Sequence, residues 1–157
     1  MNFITTSRKP GINARLFAKD IASILSSGYL TRGKAPLSDL IATARYNGAT
    51  KLFIVTEYAG NPKQILEISV LEKSWEFSNT YFVTLHKLRK TFTTDKFNVR
   101  DMVVKTEQRA IKHLLKGAGI KPGQSDFTIK DVKNDAISVF KGTKEIGPRF
   151  DIFYKEW

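Results

Sequence analysis

Leu52-Phe53-Ile54-Val55 is an unbroken apolar run flanked by Lys51 and Glu57. A strand with one wet face alternates apolar and polar side chains, so a strand without alternation is covered on both faces. The segments around the run can supply that cover. Leu16, Phe17, Ile21, Ile24 and Leu25 recur at helical spacing, with Arg15, Lys19 and Asp20 on the other side. Leu37, Leu40, Ile41 and Ala44 follow Pro36 in the same way and stop at Asn47-Gly48. Phe3 to Thr6 and Tyr29 to Thr31 read as short strands. Ile65 to Leu71 reads as a hairpin partner of the apolar run, across a turn at Gly60-Asn61-Pro62.

The remainder continues the alternation. Thr80 to Leu88 is β-rich, and Thr91 to Thr94 reads as a loop. Met102, Val103, Gln108, Ile111, Leu114 and Leu115 suggest a third helix, stopped by Gly117-Ala118-Gly119. Phe127 to Val132, Ala136 to Phe140 and Phe150 to Tyr154 are strand candidates, separated by Asn134-Asp135 and by Gly142 to Pro148. The pattern predicts an α/β fold with helices packed on mixed sheets. No Pro/Gly/Ser-rich tract divides the chain, so residues 1–157 form one domain. Its halves, about 1–78 and 79–157, each carry a leading strand, helix material and later strands. That order permits an internal duplication, although no repeat is visible at the residue level.

Charge narrows the function. There are 26 Lys and Arg against 15 Asp and Glu, a net +11. Residues 1–78 hold ten cations and six acids; residues 79–157 hold sixteen and nine. Such an excess favours a polyanionic partner, either nucleic acid or an anionic membrane surface. Cysteine is absent, which removes disulfide frameworks, zinc ribbons, iron–sulfur clusters and thiol catalysis. Met1 to Ser7 has no signal-peptide core, and nothing approaches the ~20 apolar residues of a membrane span. The expectation is a cytoplasmic protein with no membrane partner. The densest cationic segments are Arg8-Lys9, Lys87-Leu88-Arg89-Lys90 and the series Lys105, Arg109, Lys112, Lys116. Spacings of four, three and four would put that series along one helix face, where like charges repel until a phosphate backbone relieves them.

Catalytic readings fail on their own terms. Gly28 to Lys34 matches the first seven positions of a phosphate-binding loop, but Ala35 stands where a magnesium-holding Ser or Thr is required. Arg32 and Lys34 in that loop remain able to touch RNA phosphates. His86 and His113 have no nearby carboxylate at metal-ligand spacing, and no nucleophile elbow occurs. The expectation is no enzyme, no cofactor and no metal. Tyr81-Phe82 and Phe92/Phe97 lie near basic residues, suited either to the core or to stacking on unpaired bases.

Five pieces of the chain then fall into a familiar register. These are Thr6-Ser7-Arg8-Lys9-Pro10; Phe17 with Lys19-Asp20; Arg32-Gly33-Lys34 with Leu37 and Asp39-Leu40; Glu57 with Gly60-Asn61-Pro62; and Ile146-Gly147-Pro148-Arg149-Phe150. Their order and spacing closely resemble the Brix domain in its stand-alone archaeal form. The resemblance implies a ribosome-biogenesis factor. It also implies two similar α/β halves, each like the anticodon-binding domain of class IIa aminoacyl-tRNA synthetases. The resemblance, together with the basic charge, implies a non-catalytic protein that binds ribosomal RNA precursor and assists its folding, pairing or processing. The alternative is a module whose basic face docks acidic ribosomal or assembly proteins. Candidate RNA contacts are Arg8, Lys9, Arg32, Lys34, Lys87, Arg89, Lys90, Lys105, Arg109, Lys112, Lys116 and Arg149. For Arg149, pairing with an internal carboxylate that joins the halves stands beside RNA contact.

Overall fold

The computed structural model describes residues 1–154. The apolar run lies in β3 (Lys51–Tyr58), and its side chains divide between two cores. Phe53 and Val55 enter one with Phe17, Ile21 and Ile24 of α1 (Ile12–Ile24). Leu52 and Ile54 enter the other with Leu40, Ile41 and Ala44 of α2 (Leu37–Tyr46). The run is unbroken because a helix covers each face of the strand. Each such side chain contributes about 1.5–3 kcal/mol when fully buried.

Before β3 come β1 (Phe3–Thr6) and β2 (Gly28–Tyr29); after it come β4 (Asn61–Val70) and β5 (Trp75–Lys87). The β3–β4 turn is Ala59 (φ 52°) and Gly60 (φ 83°), a two-residue hairpin turn with both residues in the left-handed region. It precedes the expected Gly60-Asn61-Pro62, and Asn61 and Pro62 already belong to β4.

The second part holds β6 (Val103–Lys105), α3 (Arg109–Gly117), β7 (Phe127–Asp131), β8 (Ile137–Lys141), β9 (Lys144–Glu145) and β10 (Arg149–Tyr154). The expected third helix therefore begins later than Met102. Val103 and Val104 are β-branched neighbours that favour extended backbone, and they pair with Thr128 and Ile129. Helical spacing holds only from Gln108 onward. Both α2 and α3 end at the expected glycines, Gly48 (φ 74°) and Gly119 (φ 80°).

The strands form one mixed sheet in the order β2-β1-β3-β4-β5-β10-β8-β7-β6, with β9 on β8. β1 is parallel to β2 and β3, and β6 is parallel to β7; the other pairings are antiparallel. Reading inward from either end, parallel pairing gives way to antiparallel pairing. The two series meet where β5 and β10 pair, with Phe82 opposite Phe153. The expected division between residues 78 and 79 falls inside β5. One core spans this junction: Phe17 meets Phe150 edge-to-face at 5.4 Å, and α3 packs on β10.

Candidate nucleic-acid interface

The chain leaves β1 at Thr6 and enters α1 at Ile12. Ser7 N–H donates to the Val55 carbonyl at 2.9 Å, and Gly11 N–H donates to Glu57 Oε2 at 2.7 Å. A carboxylate from β3 thus holds the start of α1, where no capping side chain is present. Arg8 and Lys9 project from this turn, both exposed. Arg32 lies beside it, donating through Nη1 to the Thr6 carbonyl (3.1 Å) and through Nε to the Ala35 carbonyl (2.8 Å). Burial, and then the charge of Arg8, lowers the Arg32 pKa, so the two guanidinium groups share one field. Lys34 is exposed two residues on.

Two further cations complete the cluster. Lys19 Nζ lies 5.4 Å from the centre of the Tyr29 ring. Burial pushes the Tyr29 hydroxyl up, while the charge of Arg15 pulls it back. Arg15 and Lys19 are exposed and one helical turn apart on α1. The structure therefore sets Arg15 and Lys19 beside Tyr29, and Arg8 with Arg32 at the turn after β1. Sequence reasoning does not single out Arg15 and Lys19 beside the loop cations. Their four-residue spacing on the polar side of the helix is the available signal.

The start of α3 is also tied to a strand carboxylate, here through side chains rather than a backbone N–H. Thr106 Oγ1 (2.8 Å) and Gln108 Nε2 (2.9 Å) both donate to Asp131 Oδ1, at the end of β7. Arg109, Lys112 and Lys116 lie exposed on α3. Lys105 does not join them, because it ends the edge strand β6 rather than lying on the helix. Lys112 Nζ meets Glu107 Oε2 at 3.3 Å. Beside α3 runs a groove of about 740 Å³, lined by Val104, Leu115, Ile120 and Pro122 together with Lys112, Lys116 and Lys121.

The Lys87-to-Lys90 segment divides. Lys87 and Lys90 are exposed. Arg89 is 7% exposed, with its guanidinium turned into the fold rather than to solvent. Its Nη1 donates to Ser23 Oγ (3.0 Å), and its Nε and Nη2 donate to the Gly147 carbonyl (3.4 and 3.2 Å). Its backbone N–H donates to Asp20 Oδ2 at 3.0 Å, and its guanidinium lies 5.5 Å from the Phe97 ring centre. Arg89 thus ties α1 to the turn before β10. Arg149 pairs with a carboxylate, in line with one of its two readings, but the partner is Glu145, four residues away (Nη2 to Oε1 2.6 Å, Nε to Oε2 2.9 Å). That pair lies within one part of the chain and does not join the halves. Lys87 and Arg149 approach Phe92, at 5.9 and 5.6 Å from its ring centre.

Other sequence candidates resolve into structure. Gly28 sits in β2, and a Cβ there would meet the Phe3 ring at 2.9 Å, so close packing explains this glycine. Tyr81 is buried; its hydroxyl donates to Glu67 Oε1 (3.1 Å) and lies 2.8 Å from His113 Nδ1. Phe97 packs on Phe127 at 5.7 Å. Phe82 stacks on Phe153, which is 63% exposed, on the sheet face opposite α3. Among the described residues, no group of three or more His, Asp or Glu is placed to hold a metal. No helix among them is long and apolar enough to cross a membrane.

Solved structures share this arrangement. A ribosomal biogenesis protein from Aeropyrum pernix matches with a TM-score of 0.72 at 21% identity, over 96% of this chain and 94% of its own. The archaeal Imp4-like protein Mil matches with a TM-score of 0.73 at 20% identity, over 99% of each chain. At these identities the fold alone is established. In sequence, a Brix domain-containing ribosomal biogenesis protein of Thermococcus kodakarensis is 33% identical over 91 residues. The chain is a relative of the archaeal Brix proteins. The aligned region is 57% of this chain and spans 44% of the Thermococcus protein. A Brix-domain protein of Methanopyrus kandleri is 24% identical over 98% of this chain and 93% of its own length. No family model matches the chain. The kinship with Brix therefore rests on these individual proteins and on the shared fold.

Proposed function

We propose that this protein is a non-catalytic RNA-binding factor of ribosome biogenesis, which holds ribosomal RNA precursor on the cations around Tyr29. The observation that carries the reading is two pairs of cations, Arg8 with Arg32 at the turn after β1 and Arg15 with Lys19 beside Tyr29. Glu57, the carboxylate at the start of α1, accepts from Gly11 N–H. Among the described residues none of these four cations is in a salt bridge, and a phosphate backbone removes the repulsion within each pair while releasing counterions. Arg32 is anchored by two carbonyls, so its remaining donors are held in a fixed direction before RNA arrives. Lys9, Lys34, Lys87 and Lys90 add exposed charge. The names of the Brix relatives supply the ribosomal setting.

We further infer that the halves descend from one unit, akin to the anticodon-binding domain of class IIa synthetases. The mirrored strand order supports this, as do Glu57 and Asp131, which anchor the starts of α1 and α3 in like positions. The functional test is binding to ribosomal RNA precursor fragments against scrambled RNA across a salt series. Replacing Arg15 and Lys19 with Ala should weaken binding. It should also flatten the log–log salt slope by about 0.7 for each phosphate that the variant no longer neutralises. An unchanged slope would remove this surface from the reading.

A further inference from the structure

The groove between α3 and β6 has a chemistry that the RNA reading does not use. Its floor is apolar: Leu115 and Ile120 are 3% and 6% exposed, and Val104 and Pro122 continue it outward. Its rim is cationic: Lys112, Lys116 and Lys121 are exposed, and Glu107, paired with Lys112, lies outside the lining. A phosphate backbone satisfies the rim but leaves the floor against water. A purely apolar segment fills the floor but leaves three lysines unmatched. A chain that presents apolar side chains on one side and carboxylates on their flanks satisfies both, by apolar burial and charge complementarity.

We propose that this groove docks an acidic amphipathic segment of a protein partner, its apolar side chains on Leu115 and Ile120 and its carboxylates on Lys112, Lys116 and Lys121. At about 740 Å³ the groove is large enough for several side chains at once. Lys112 already bridges to Glu107, which is fully exposed, so an incoming carboxylate exchanges one solvent-screened pair for another. Lys116 and Lys121 then set the preference for acid. The proposal stands independently of RNA binding, because the Tyr29 cluster shares no residue with the groove.

The test uses amide NMR spectra of the whole protein. The probe is a synthetic peptide of about 15 residues with Leu at positions i, i+3, i+4 and i+7 and Glu between them. A peptide with Lys for Glu and an oligouridine are the comparisons. The acidic peptide should shift the amides of Val104, Leu115 and Ile120. The double variant Lys116→Glu/Lys121→Glu should bind it at least about tenfold more weakly. Both positions are exposed, so the variant keeps its fold, and its unperturbed core amides serve as the check. The proposal is overturned if the acidic peptide leaves those amides unmoved, or if the double variant binds it as well as the parent. It is also overturned if oligouridine, but not the peptide, moves them, which would give the face to RNA.

Discussion

Removing the Arg89 side chain is the sharpest test of how the two parts of the sheet are held together. Arg89→Ala deletes the donors to Ser23 Oγ and the Gly147 carbonyl and the packing on Phe97. Hydrogen bonds from a charged donor contribute about 1.5–3 kcal/mol net, and a buried acceptor left without its partner costs about 1–3 kcal/mol. The bonds share one guanidinium and do not add fully. A loss of about 3–5 kcal/mol is therefore expected, as for other broken buried charge networks. In a chain of this size that lowers Tm by on the order of 10 °C. Arg89→Lys keeps the charge but loses the planar fork, so it should recover only part of the stability. Urea unfolding followed by circular dichroism reads both effects. Under conditions where the variant is folded, its RNA salt slope should match the parent's, because Arg89 does not face solvent. A stability loss under about 0.5 kcal/mol, combined with a slope reduced by about 0.7, would refute the reasoning and return Arg89 to the RNA surface.

Two further outcomes follow from Glu67, which is 1% exposed and accepts from Lys51 Nζ (3.0 Å), Ser78 Oγ (2.9 Å), Asn79 Nδ2 (2.9 Å) and Tyr81 Oη (3.1 Å). Gly117→Ala would place a Cβ 2.7 Å from Glu67 Oε1, a clash this tethered carboxylate cannot relieve cheaply. Unfolding should show about 1–3 kcal/mol of destabilisation despite the better helix propensity of Ala; a gain in stability would contradict the packing. Burial alone would raise the Glu67 pKa, but hydrogen bonds from Asn79, Lys51 and Ser78 and the charge of Lys51 outweigh it and hold the carboxyl below the ordinary Glu range. Glu145 is likewise low: burial opposes the shift, and Arg149 and Ser138 overcome it. The folded state therefore binds fewer protons than the unfolded chain on the acid side. This stability is present above the ordinary Glu value of about 4.3 and is lost as pH falls through the folded values. Asp20 acts in the opposite sense: burial raises its pKa against the backbone bond and charge of Arg89, so its contribution is lost as pH rises through its folded value. Urea midpoints should fall on acidification, and Glu67→Gln should flatten that fall; parallel curves for parent and variant would rule out Glu67 as the source.

Much of the fold is legible in the chain because it is written in local periodicity. Leu52 to Val55 announces a strand covered on both faces, and Phe53 and Leu52 do enter different cores. Gly48 and Gly119 announce helix ends because their backbones turn left-handed there. The start of α3 reads too early in the sequence because Met102 and Val103 are apolar in either conformation; pairing with β7, a long-range interaction, decides for strand. The five motif pieces resemble the Brix domain in their residues, order and spacing, and the chain is similar to archaeal Brix-domain proteins.

The site is less legible. Arg8, Lys9, Arg32 and Lys34 are visible as cations in loops. That Lys19 and Arg15 of α1 lie beside Tyr29, and Arg32 beside the turn that carries Arg8, depends on β1 and β2 lying parallel with Ile4 beside Tyr29. Lys87, Arg89 and Lys90 look alike in sequence, yet only Arg89 is buried, because Ser23 and Gly147 meet it from 66 and 58 residues away. Local sequence sets the backbone of each segment and which of its faces is apolar, since both arise from neighbouring residues. Which cations face solvent together and which become struts inside the fold is set by the order and register of the sheet, because those decide which distant groups lie within reach of a hydrogen bond.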